Sequence, residues 1–190
     1  MNRFRRLLAR RWWRSCCLMV IGLSASGLGY PEAGGPAEYQ VKAAFILNFA
    51  KYVDWPAESF PSKESPLNLC IIGRDPFGTA LGTIEGRTVH GRPLRIRRNV
   101  AAEDTGGCSI AYVSESEERR VPVVLKTIGT QPVLTLSDLD GFAEAGGAVG
   151  LFLAEERLQF DANFTALQRA NLKASAQALR LARTVFGMKR

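Results

Sequence analysis

Leu67-Asn68-Leu69-Cys70-Ile71-Ile72-Gly73 is a short, almost unbroken apolar run closed by glycine. A strand with one wet face alternates polar and apolar residues, whereas a strand covered on both faces has no need to. The run therefore reads as a central strand with a layer packed on each side. Ser109–Val113 reads the same way. Between the two, Pro93–Arg98 alternates Leu94 and Ile96 with Arg95 and Arg97, which is the pattern of a half-exposed strand whose charges discourage edge pairing.

Outward from this centre, Glu38–Val53 carries Val41, Phe45 and Phe49 at helical spacing, with Ala44, Ile46 and Leu47 widening the apolar face. It predicts a buried helix stopped by Trp55-Pro56. Pro76–Ile84 reads as a short helix with proline in its first turn. Ser114-x-x-Glu117 has the capping-box spacing, and the helix it opens is shortened or restarted at Pro122 and ends at Gly129. Pro132–Leu136, Gly147–Leu153 and Arg157–Ala162 read as strands, and Gly146-Gly147 marks a tight backbone approach. Asn163 is placed to cap Phe164–Asn171, and Ser175 to cap Ala176–Phe186 ahead of Gly187. Helices alternating with short apolar strands define one α/β domain over residues 38–187: a mixed, mostly parallel sheet flanked by helices on both faces.

The formal charge of +7 suggests a nucleic-acid partner, but its distribution does not. Six of the 25 basic side chains lie in Met1–Arg14 with no acid among them, leaving 19 against 18 acidic side chains in the rest. A near-neutral domain lacks the field that phosphate binding needs, so no nucleic-acid partner is expected. Met1–Arg14 followed by the apolar Ser15–Leu28 reads as a signal peptide over residues 1–29, with export to the periplasm. An uncleaved anchor is the alternative, although the apolar stretch is shorter than a spanning helix requires. Tyr30–Ala37 is rich in proline and glycine and reads as a flexible mature N-terminus.

Beyond the leader, Cys70 and Cys108 remain. An even pair in an exported chain points to a disulfide, with two separate buried thiols as the alternative. Two cysteines without CxxC spacing and one histidine do not make a metal site, and no cofactor is expected. His90 reads as a surface histidine in a turn, no G-x-S-x-G elbow is present, and no catalytic set assembles. Glu115, Glu117 and Glu118 read as complements to a helix dipole. Gly73, Arg74 and Asp75 follow a strand and open a helix; they are the candidate ligand site, against the plainer reading of a strand-to-helix turn. Arg92, Arg95, Arg97 and Arg98 are the densest basic patch, either a solvated strand face or a landing place for an acidic partner. Asp161, Phe164 and Leu167 are the candidate partner contacts, with core packing the alternative for the two apolar residues. The chain reads as a binding protein and not an enzyme.

Asn48-Phe49-Ala50-Lys51-Tyr52-Val53-Asp54-Trp55-Pro56 resembles the opening of the YfiR family, as does Leu69-Cys70-Ile71-Ile72-Gly73-Arg74-Asp75-Pro76-Phe77. The likeness continues through Val133–Asp138, Phe142 with Gly146-Gly147, Phe160–Asn163 and Leu172–Ala182, in the family's order. The resemblance implies a periplasmic regulator that binds the periplasmic part of an inner-membrane diguanylate cyclase and holds it inactive, lowering cyclic-di-GMP output and biofilm formation. It implies a disulfide between Cys70 and Cys108. It also puts redox control through a second, later cysteine pair in doubt, because this chain has none there. A small-ligand sensor serving a histidine kinase or a transport system is the competing reading, and a homodimer is left open.

Overall fold

The structure, a computed structural model, describes residues 35–188. The expected signal peptide, and residues 30–34 of the expected flexible stretch, lie outside them. Helix α1 (Pro36–Ala50) starts two residues earlier than its pattern suggested, with a proline in its first turn. It also ends earlier, because Val53–Asp54 is strand β1, pairing antiparallel with β9 (Lys173–Ala174). The Ser175 amide donates to the Tyr52 carbonyl at 2.8 Å, so tertiary pairing ends the helix before Pro56 is reached.

The main sheet contains β2 (Leu67–Ile72), β3 (Thr88–Val89), β4 (Arg92–Val100), β5 (Ile110–Val113), β6 (Leu134–Ser137), β7 (Val149–Ala154), β8 (Arg157–Asn163) and β10 (Val185–Phe186). Their order across the sheet is β10-β8-β7-β6-β5-β2-β4-β3. Strands β4, β2, β5, β6 and β7 are mutually parallel, β8 runs antiparallel to β7, and β3 forms a hairpin with β4. The sheet is thus mixed and mostly parallel. Leu69 and Ile71 of β2 face α1, α3 (Phe164–Arg169) and α4 (Ala176–Leu181), while Ile72 faces α2 (Val121–Ile128). Helices cover both faces, as the apolar run demanded.

Several local expectations give way to tertiary pairing. Pro76–Ile84 forms a 3-10 turn only over Gly78–Thr83, because the Asp75 carboxylate accepts the Phe77 amide and Gly78 takes φ +54. The C-terminal helix ends at Leu181, five residues early. The chain after it is drawn onto the open edge of β8: the Arg183 amide bonds to Phe160 O, and the Ala162 amide to Thr184 O, each at 2.9 Å. Both expected caps form, the Asn163 side chain accepting from the Ala166 amide and the Ser175 hydroxyl from the Ala178 amide. Asn163 also donates to Ala143 O, tying α3 to the loop before β7. At Gly147 any Cβ would run into the Phe142 ring.

Cys70 and Cys108 are bonded, with Cα atoms 5.9 Å apart, and lie in a small buried cluster with Val100. Trp55 Nε1 donates to Ser109 O at 3.0 Å, next to that bond. Replacing both cysteines with alanine opens a loop of 38-residue separation. The expected cost is about 4 kcal/mol in the chain-entropy model. A urea unfolding midpoint unchanged from the parent protein would contradict it.

Candidate functional site

Strand β2 is followed by β4 on one side and then β5 on the other, so the winding of the sheet reverses at β2. In open α/β sheets such a reversal leaves a crevice at the carboxyl ends of the strands. Here it measures about 460 Å³ and is lined by Arg74, Asp75, Ser114, Glu115, Ser116 and Glu118. Gly73 turns into it at φ +82, and a Cβ there would come within 2.6 Å of Ser114 Oγ and closer still to Ser116 Oγ. Only glycine fits. The Arg74 amide donates to Ser116 Oγ at 2.9 Å, which shares a hydrogen bond with Ser114 Oγ at 2.8 Å. This exchange displaces the capping box: Ser114 caps nothing, Glu117 pairs with Arg120, and Glu115–Arg120 forms a 3-10 turn leading into α2. Of the three sequence-derived ligand residues, Arg74 and Asp75 line this crevice and Gly73 packs against its Ser114 and Ser116. Asp75 is already engaged by Arg98, whereas Arg74 is in no ion pair among the described residues.

Behind the crevice lies a cluster that the sequence reading missed. Lys42 is only 4% exposed, and its ammonium sits 2.5 Å from both Glu38 and Asp138. The Tyr39 hydroxyl donates to the same Asp138 oxygen at 3.3 Å, and the Tyr39 ring lies under the Lys42 ammonium. Phe77 packs edge-on against both Tyr39 and Tyr112, with centroids 5.2 and 4.7 Å away. The Tyr112 hydroxyl is fully buried and reaches no partner at hydrogen-bond geometry. Burial, and secondarily the Asp138 carboxylate, push both phenols above the ordinary tyrosine range. The signal was available: Lys42 shares a helical face with Ile46 and Phe49, and a lysine buried on that face must meet an acid.

The candidate partner residues do not converge. Asp161 faces a groove of about 400 Å³ between residues 139–144 and the β7–β8–β10 edge, and there it pairs with Arg183. The Arg183 guanidinium stacks 3.8 Å from the Phe152 ring centroid. Phe164 is half-buried against the core, and Leu167 is 1% exposed inside it. Leu167 is thus a core residue and offers no contact surface. Strand alternation separates Asp161 from both, because its neighbours Phe160 and Ala162 point into the α1-side core.

The basic patch is mostly consumed from within. Arg92 donates to Ser62 O, Lys63 O and Ser65 O and stacks on Phe60, fastening the loop before β2. Arg97 donates to Asp104 O and Gly106 O and lies 3.6 Å from Cys108 Sγ. With Arg98 held by Asp75, only Arg95 is left without such bonds among the described residues. His90 sits with Gly91 in the two-residue β3–β4 turn, both at positive φ. Its Nε2 is 3.0 Å from Val53 O, a carbonyl that can only accept, so Nε2 carries the proton. Among the described residues, no three of His, Cys, Asp and Glu are grouped to hold a metal ion. No described helix is long and apolar enough to cross a membrane.

The described domain is thus a parallel-centred α/β fold with a crevice at the carboxyl edge of its sheet and a charged network under its first helix. Residues 39–183 match the family model DUF4154, described as YfiR/HmsC-like, and the chain belongs to that family. The family is periplasmic, regulatory and linked to diguanylate cyclase control. A crystal structure of a conserved domain protein from Vibrio cholerae O1 biovar El Tor is similar in fold, with a TM-score of 0.53 at 9% identity. The alignment covers 77% of this chain and 60% of that one.

Both raised phenols stay protonated in the folded chain at a pH where an unfolded tyrosine, with a pKa of about 10, has ionised. Their contribution is fully present below pH about 10 and is lost as pH rises beyond it, because the unfolded chain then binds fewer protons. Urea midpoints between pH 9 and 11 should fall, and Tyr112→Phe should flatten the fall. Asp138→Asn should cost about 3 kcal/mol at neutral pH, since it strips a buried ammonium of one partner. A loss below 1 kcal/mol would show that the Glu38 carboxylate suffices alone.

Proposed function

We propose that this chain is a periplasmic regulatory binding protein that represses an inner-membrane diguanylate cyclase and so lowers cyclic-di-GMP signalling. The observation that carries the reading is the family match, which spans nearly all of the described domain. On this reading residues 1–29 direct export, residues 38–187 are the regulatory domain, and the Cys70–Cys108 bond suits an oxidising compartment. The partner is the periplasmic part of the cyclase, met at the Asp161 groove. Repression needs no chemistry. A regulator that binds the inactive arrangement of its partner more tightly than the active one shifts the population by that difference.

A second reading, a small-ligand sensor serving a histidine kinase or transport system, is favoured by one observation. The crevice at Gly73, Arg74 and Asp75 lies where the sheet reverses, the usual ligand position in such folds. A neighbouring kinase or outer-membrane receptor gene favours this reading, and a neighbouring cyclase gene the first.

Deleting the gene should raise cellular cyclic-di-GMP, and the parent gene supplied on a plasmid should restore it. Asp161→Arg, which places two cations together at the groove, should accumulate in the envelope yet restore poorly. An unchanged cyclic-di-GMP level in a deletion strain that normally makes the protein would refute the cyclase reading.

A further inference from the structure

The β7–β8 hairpin closes through Glu155 and Glu156, both left-handed at φ 51 and 59. A two-residue turn of this kind favours Asn-Gly, and glutamate is poorly suited to either place. Backbone strain kept at a particular spot points toward a use for the side chains it displays. Neither carboxylate is in an ion pair among the described residues.

The residues beside the turn are equally out of keeping with a plain surface. Leu153 is 46% exposed and stands opposite Leu158 in the ladder. Alternation along β7 and β8 puts this pair on the face of Leu151 and Phe160, and Arg157 on the other face. Phe160 packs against Phe45 of α1 at 5.2 Å between centroids. Val41, one turn nearer the start of α1, is 53% exposed. It belongs to an outward stripe of Ala37, Val41, Ala44 and Asn48, whose spacing of four, three and four is that of a helix seam. The stripe runs toward the carboxyl end of the sheet, where Lys42 meets Asp138, and the hairpin projects from that end.

We infer that the hairpin tip and the outer stripe of α1 form a docking surface for a partner helix whose apolar face is edged by lysine or arginine. Leu153, Leu158 and Val41 receive the apolar face, and Glu155 and Glu156 meet the flanking cations. Small residues on α1 let the partner backbone approach closely, and charge decides which amphipathic helix is accepted. The surface adjoins the Asp161 groove, whose lining includes Leu153. It is measured on the isolated protein, so its failure leaves the cyclic-di-GMP result standing.

The test uses two synthetic amphipathic helices of about 18 residues, with the same leucine face but flanked by lysine in one and glutamate in the other. Binding to the purified protein is followed by fluorescence anisotropy. The lysine-flanked peptide should bind at least about tenfold more tightly, a difference of 1.4 kcal/mol. Leu153→Ser, at an exposed position, should weaken it about tenfold. The double variant Glu155→Asn, Glu156→Gly relaxes the turn and removes both charges. It should raise the melting temperature and abolish the preference between peptides. The inference is overturned if neither peptide binds, if both bind equally, or if the variants leave binding unchanged. A dimer of the parent protein that Leu153→Ser dissolves would make a second copy the occupant and overturn it too.

Discussion

Strand β2 has no solvent face, and the rest of the architecture follows from covering it. Leu69 and Ile71 require the α1 layer, and Ile72 requires α2. Neighbours on both edges satisfy its backbone, with β4 on one side and β5 on the other. Parallel neighbours need long crossovers, and those crossovers supply the covering layers. The same two-sided pairing creates the reversal at β2 and hence the crevice. A single apolar heptapeptide thus commits the chain to its layers, its winding and the place where its strand-to-helix turns converge.

The sheet's centre was legible because burial on two faces leaves a mark in the sequence that needs no partner to interpret. The caps at Asn163 and Ser175 were legible for a similar reason, since each satisfies amides within three residues. What could not be read was decided at a distance. The end of the C-terminal helix was lost to β8, whose edge amides lie some twenty residues earlier. The Ser114 capping box gave way to Ser116, which the Arg74 amide recruits across 42 positions. Local sequence grammar prevails only where no tertiary donor or acceptor outbids it. The candidate sites divide along the same line. Gly73, Arg74 and Asp75 are consecutive and stay together, whereas Asp161, Phe164 and Leu167 straddle a strand–helix junction and separate.

Arginine in this fold is chiefly a fastener of backbone. Arg92 gathers three carbonyls of a loop that has little core of its own, and Arg97 holds the segment around Cys108. A guanidinium suits this work because its donors fan out in one plane and its charge survives partial burial. The basic stretch on β4 is therefore internal scaffolding more than an electrostatic beacon. Lys42 does something different: a point charge under α1 that orients the helix by demanding Glu38 and Asp138 at once. Such a network contributes little net stability, yet it penalises any register of α1 that leaves the ammonium unanswered.

Trp12 and Trp13 belong to the N-terminal segment, so Trp55 is the sole indole in the described domain. Its Nε1 is bonded to the carbonyl of the residue that follows Cys108, close to where the amino ends of β2 and β5 meet. The domain consequently carries its own optical gauge. Any event that loosens the cross-linked loop wets the indole and reddens its emission, so the integrity of the sheet's amino edge can be followed in the purified domain without attaching a dye.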